Sequence, residues 1–166
     1  MANSGAKKSG VSTPVTDFLT DQEVAYAIHR YEQADDTQGY GLSAARSLDV
    51  APERVFKTML ANIDGKPMNA VVPVACDLDL KALASTVGAQ EAEIVDYDDI
   101  KKVTGYSADG MSPLAQKNYL PTIVDVSALD FATIYLSAGK PGLDIEMSPE
   151  DLVRLTQART APLGQR

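Results

Sequence analysis

Lys57 is the residue in this chain that most needs a chemical reason. It sits inside the apolar, β-prone run "VFKTML", residues 55–60. With period two, Val55, Lys57 and Met59 share one face, and Phe56, Thr58 and Leu60 share the other. An ammonium there either discourages edge-to-edge pairing of an edge strand or serves a cavity that needs a positive charge. A second place is "YSADGMSPLAQK". In it Ser112 could cap a short helix with Pro113 at its first position, leaving free N–H groups to hold an anion or oxyanion. Together they outline a pocket with one cation, several N–H donors and no strong general base, suited to polarising and positioning an ester or phosphate ligand.

The remaining chemistry-bearing residues read as structural. His29 is the sole histidine and has no evident partner along its strand, so Ser-His-Asp and Cys-His catalysis lack support. Cys76, the sole cysteine, follows "VVPVA" and reads as a small buried residue. It leaves no disulfide framework, which fits a reducing cytoplasm. Glu91, Glu93, Asp96, Asp98 and Asp99 are balanced by Lys101 and Lys102 and read as a solvated face, not a metal site. No metal and no cofactor is expected: one cysteine and one histidine argue against a Cys/His centre, which leaves only a site built from carboxylates formally open. Phosphate-binding glycine fingerprints and the nucleophile elbow are missing from the sequence.

The elements that must position these residues follow from pattern. Thr13 and Pro14 start a helix with Val15, Phe18 and Leu19 along one stripe. "AYAIHRY" alternates as a strand, "LSAARSLDV" is a short helix, and residues 54–74 form a hairpin around Asp64-Gly65. "DLDLKALASTVG" is a helix closed by Gly88, "AEIVD" a strand and "YDDIKKV" a helix. "PTIVDVSAL", "ATIYLSAG" and "GLDIEM" are strands, and Ser148, Pro149 and Asp151 open a last helix. Helices interleaved irregularly with hairpin-linked strands predict an α+β fold, a mixed and mostly antiparallel sheet surrounded by helices.

A chain of 166 residues, 45% hydrophobic and 23% charged, suggests one globular domain. We place it at residues 12–160, with a disordered tail over 1–11 and a flexible end over 161–166. No apolar run nears the roughly 20 residues of a membrane span, and the start lacks the apolar core of a secretory signal. The net charge of −8 gives no global attraction to DNA, RNA or anionic membrane.

"FKTML", "TGYSADGMSPLAQK", "TIYLSAGKPGLDIE" and "SPEDL" resemble, in order and spacing, the YbaK/EbsC family, stand-alone relatives of the editing domain of bacterial prolyl-tRNA synthetase. The resemblance runs from about Pro14 to about Thr156. It implies that family's fold and a cytoplasmic, trans-acting deacylase that removes a mischarged amino acid, foremost cysteine, from the 3′ end of proline tRNA. Alanine or another small residue is an alternative substrate, and a binding module without turnover is an alternative function. Proline tRNA is then the implied partner, with prolyl-tRNA synthetase a candidate second one. By motif, Lys57 matches the family's essential lysine, flanked by Phe56 and Thr58. Tyr31 matches a pocket tyrosine, Ser137 and Gly139 the "S-G-G-K" turn, and Asp144 the acidic position after "G-L". Gly110 matches the second glycine of a Gly-Gly pair before "I-S-P", the motif that contains Ser112. Two departures stand out: Asp109 replaces the first glycine, to which the family attributes backbone contacts with substrate, and Ala138 replaces a glycine in "SAGK". The resemblance also explains the missing base. For cysteine esters the family is thought to use the substrate's own thiol, which attacks the carbonyl and leaves as a cyclic thiolactone.

Overall fold

A computed structural model of the chain describes residues 11–32 and 40–165. The tail expected over 1–11 lies outside the described residues except for Val11, which packs against the main core.

Helix α1 (Pro14–Asp21) starts as its sequence predicts, with the Thr13 hydroxyl accepting from the Thr16 N–H and Pro14 in the first turn. Strand β1 (Ala27–Arg30) and helix α2 (Tyr40–Leu48) follow, then β2 (Phe56–Ile63) and β3 (Lys66–Pro73). The β2–β3 turn has positive φ at both Asp64 and Gly65, the conformation a type I′ hairpin requires. Next come β4 (Asp77–Leu78), α3 (Leu80–Val87), β5 (Ala92–Ile94), α4 (Tyr97–Thr104), β6 (Thr122–Asp125), β7 (Ile134–Lys140), β8 (Leu143–Met147), α5 (Pro149–Thr156), β9 (Arg159–Ala161) and β10 (Gly164–Gln165).

The strands build a five-stranded sheet ordered β5-β2-β3-β6-β9, a three-stranded sheet ordered β1-β8-β7, and the pair β10-β4. The small sheet, β2–β3 and β2–β5 are antiparallel, while β3–β6 and β6–β9 are parallel. This is the mixed, mostly antiparallel α+β arrangement that the element pattern predicts. Both faces of the large sheet are covered. Phe56, Leu60, Val71 and Val124 join a cluster with α1, α5 and the small sheet. Ala61, Ile63, Ala70, Val72 and Ile123 pack with Leu83 of α3 and with Leu163. Double coverage explains why β2 reads as apolar on both faces.

Three local expectations give way. The segment 161–166 is not a loose end where it is described: Arg159–Ala161 pairs with β6 and Gly164–Gln165 with β4. Leu163 is fully buried, and the Asp125 carboxylate accepts from the N–H groups of Leu163 (2.7 Å) and Gly164 (2.8 Å). The strand over "PTIVDVSAL" stops at Asp125, where that carboxylate also caps a 3-10 turn through Ser127. No helix follows Ser112. Its hydroxyl accepts from the Leu114 N–H within an irregular loop, whose Gln116 amide pairs with the buried Asn69 amide at 3.0 Å in both directions. The loop's backbone is thus held by internal bonds, and no helix start exists there to receive an anion.

Candidate active site

β5 pairs with β2 only over Ala61–Ile63, so among the described residues the first half of β2 has no strand on that side. β7 comes near instead, touching through a single parallel bridge between Val55 and Tyr135. The space left beside residues 55–59 is a cavity of about 370 Å³. That volume lies at the low end for small-molecule sites.

The cavity brings together Tyr31, Phe56, Lys57, Thr58, Asp109, Ser137 and Asp144, along with Leu42, Val55, Met59, Val74, Asp77, Ala108 and Met111. Lys57 is half-buried on β2, hydrogen-bonded to β3 on one side and open to the cavity on the other. The open edge that Lys57 occupies is also the cavity wall.

Gly110, Ser112 and Gly139 are not among the lining residues. Gly110 donates its N–H to Ser107 O (3.1 Å) and accepts from Ser137 Oγ (3.0 Å), so its backbone is committed. Ser137 Oγ also accepts from the Gly139 N–H at 3.1 Å. Ser137 thereby ties the 3-10 turn Ala108–Gly110 to β7 and has no hydrogen left to donate to a ligand. Gly139 adopts φ +105° where a Cβ would come within 3.2 Å of Val15 and 3.3 Å of Tyr106. The neighbouring Ala138 carbonyl accepts from Thr13 Oγ1 at 2.7 Å, fixing the "SAGK" turn to the start of α1. Tyr106, whose hydroxyl donates to Leu114 O (2.7 Å), is pushed up to about 12 by burial.

The cavity charges are Lys57 against Asp77, Asp109 and Asp144. Asp109 accepts from the hydroxyl of the exposed Tyr97 at 3.4 Å. Asp144 is only 4% exposed, and burial pushes its carboxyl up to about 7. Among the described residues, no group of three or more His, Cys, Asp or Glu is placed to hold a metal. Asp77 is the acidic residue that motif reading passed over. Its signal lay in the hairpin: Phe56 pairs with Pro73, so the chain after β3 must run beside the start of β2.

His29 is not solitary. Its Nε2 lies 2.9 Å from Glu146 Oε1, and Glu146 Oε2 accepts from Arg54 at 3.2 Å. Arg54 stacks over the Tyr135 ring. Burial raises the Glu146 carboxyl, but hydrogen bonds from Thr133, His29 and Tyr135 outweigh it and leave the group below its ordinary value. Cys76 is buried, as expected, with its side chain against Gly164.

Among the described residues, no helix is long and apolar enough to cross a membrane. The family model of the aminoacyl-tRNA editing domain matches residues 40–155. A protein of Enterococcus faecalis named as a Cys-tRNA(Pro)/Cys-tRNA(Cys) deacylase, EbsC, is 33% identical over 159 residues, covering 95% of this chain and 96% of its own. Among solved structures, one described as a trans-editing enzyme for prolyl tRNA synthetase superposes with a TM-score of 0.79 at 17% identity, covering 94% of this chain and 99% of that one. Another, the hypothetical protein APE2540, gives 0.82 at 20% identity over 92% of this chain and 100% of its own. The chain belongs to the aminoacyl-tRNA editing domain family, whose reaction is the deacylation of aminoacyl-tRNA, and it is an enzyme of that class.

Proposed function

We propose that the chain removes cysteine from mischarged proline tRNA, acting in trans on the aminoacyl ester at the 3′ end. The observation that carries the reading is the cavity itself: a space for an aminoacylated ribose with the Lys57 ammonium on one wall and carboxylates on the others. In this reading Lys57 faces the ester and the adjoining phosphate, where a cation offsets charge on oxygen. Phe56 and Tyr31 enclose the sugar, and Thr58 offers a hydroxyl. The turn carrying Asp109 and Gly110 sets the depth available to the amino acid, and Ser137 holds that turn. The name of the Enterococcus faecalis relative supports the cysteine assignment. A net charge of −8 supports help from a partner in holding the tRNA, and prolyl-tRNA synthetase is the candidate.

The test is loss of label from Cys-, Ala- and Ser-charged proline tRNA, with and without prolyl-tRNA synthetase. Cysteine should leave fastest. Lys57→Ala should reduce the rate at least about 100-fold, the range for removing one electrostatic stabiliser, with an unchanged melting temperature. Faster loss of alanine would move the substrate. If no charged tRNA decays faster than in buffer, the reading fails.

A further inference from the structure

We propose that the Asp109 carboxylate receives the α-ammonium of the aminoacyl group and makes the cavity selective for esters whose amino group is free. The inference rests on the deacylase reading and names the substrate feature that the site requires. Where the family motif has a glycine, only backbone is on offer. A side-chain contact at position 109 is therefore this chain's own.

The substrate end carries two opposite charges, a phosphate on one side of the terminal ribose and an ammonium beyond the ester on the other. The cavity holds a matching pair. Lys57 stands on β2 and Asp109 on the 3-10 turn Ala108–Gly110, both half-buried and both lining the cavity. Among the described residues neither forms an ion pair, with the other or with a third group. Opposite charges kept apart in one cavity are complementary to a ligand that reaches between them.

The turn that carries Asp109 is fixed. Ser137 Oγ donates to Gly110 O at 3.0 Å, the Gly110 N–H donates to Ser107 O at 3.1 Å, and Gly110 packs so closely on Lys140 that a Cβ would lie 2.6 Å from its Cα. The Tyr97 hydroxyl donates to Asp109 Oδ2 at 3.4 Å, and among the described residues no hydrogen bond reaches Oδ1. Helix α4, which supplies Tyr97, places the exposed Asp98 and Asp99 in its first turn, with Lys101 and Lys102 only in its last. The field on this side of the cavity therefore favours a cation. The other two carboxylates of the cavity suit an ammonium less well. Asp77 is exposed, where water screens a pair. Burial pushes Asp144 up to about 7, so near neutrality a large part of it is uncharged.

A carboxylate at this point gives a selection rule. A free aminoacyl ester brings an ammonium to it, whereas a peptidyl ester brings an amide nitrogen without charge and leaves Asp109 desolvated and unpaired.

The experiment compares two non-cleavable ligands by calorimetry at about pH 6.5, below the roughly 7.7 of an α-amino group. One is 3′-amino-3′-deoxyadenosine amide-linked to cysteine, and the other carries the same acyl group without its amino nitrogen. Wild type should prefer the cysteinyl ligand at least about tenfold, the factor that 1.4 kcal/mol represents. Asp109→Asn and Asp109→Gly, each checked by its melting curve, should cut that preference below about threefold by weakening the cysteinyl ligand alone. The inference is overturned if wild type shows no preference, if both variants keep it, or if they weaken the two ligands equally. It is also overturned if Asp77→Asn or Asp144→Asn removes the preference and Asp109→Asn does not. Cleavage of Cys-charged proline tRNA is measured alongside. If wild type cleaves no charged tRNA and binds neither ligand, the deacylase reading falls and this inference with it. Cleavage by wild type together with an unchanged preference in the Asp109 variants sinks this inference alone.

Discussion

Gly110→Ala probes the packing that sets the cavity floor. An ideal Cβ at position 110 would lie 2.6 Å from Lys140 Cα, 2.8 Å from Pro141 Cδ and 2.9 Å from Lys140 C. Ordinary contact begins at 3.4 Å, so the nearest approach falls 0.8 Å short, and the obstacles are backbone and a proline ring that cannot swing aside. The 3-10 turn must move by about that distance, which carries the 3.0 Å bond from Ser137 to the Gly110 carbonyl out of range. Overpacking of this kind costs about 1–3 kcal/mol. The lost hydrogen bond adds about 1 kcal/mol, giving roughly 2–4 kcal/mol in all. For a chain of this length each kcal/mol lowers Tm by about 2–4 °C, so calorimetry should show a fall of about 4–16 °C. Asp109 and Ala108 ride on the same turn, so deacylation at a temperature where the variant is folded should drop about 10- to 100-fold through misplacement near the substrate. A variant with wild-type Tm and wild-type deacylation would refute the claim that this contact sets the cavity.

Two other perturbations report on buried carboxylates of opposite character. Asp125→Ala leaves the Leu163 and Gly164 N–H groups without their acceptor, at a cost of about 2–4 kcal/mol, and should expose the C-terminal segment to limited proteolysis. Burial raises Asp125, but the bonds from Ser127, Leu163 and Gly164 outweigh it, so the folded group titrates below 3.8. Its contribution is therefore present above pH 3.8 and lost as the pH falls through the lower folded value, and the Ala variant should lack this acid-side loss in urea titrations. Asp144 has the reverse sign. Its folded value of about 7 lies above 3.8, so its stabilisation is full below 3.8 and is lost as pH rises to about 7. Asp144→Asn should thus be more stable than wild type at pH 8, by up to about 4 kcal/mol, with no such gain at pH 3.5. Equal gains at both pH values would show that burial does not raise this group.

Much of the architecture is written locally. The Thr13–Pro14 start, the Asp64–Gly65 turn, the Gly88 stop and the Ser148–Pro149 start depend on residues within a few positions of one another, and the structure has each of them. Where an interaction spans many positions, local pattern misleads. Residues 161–166 carry small and polar residues typical of a fraying end, but Asp125, nearly forty positions earlier, holds Leu163 and Gly164. The Ser-Pro pair at 112–113 has the chemistry of a helix start, but Gln116 and Asn69 satisfy the loop without one.

Sequence by itself determined which residue types are present and in what order, enough to single out Lys57 and to place it among motifs of the family. Tertiary structure decided how those residues act on one another. Lys57 faces a cavity because β5 ends early and leaves one edge of β2 open. Asp144 differs from the other aspartates of the cavity because β1 and β7 close around it and remove water. Desolvation depends on what the rest of the chain brings near a group, and no pattern of neighbours in sequence encodes that.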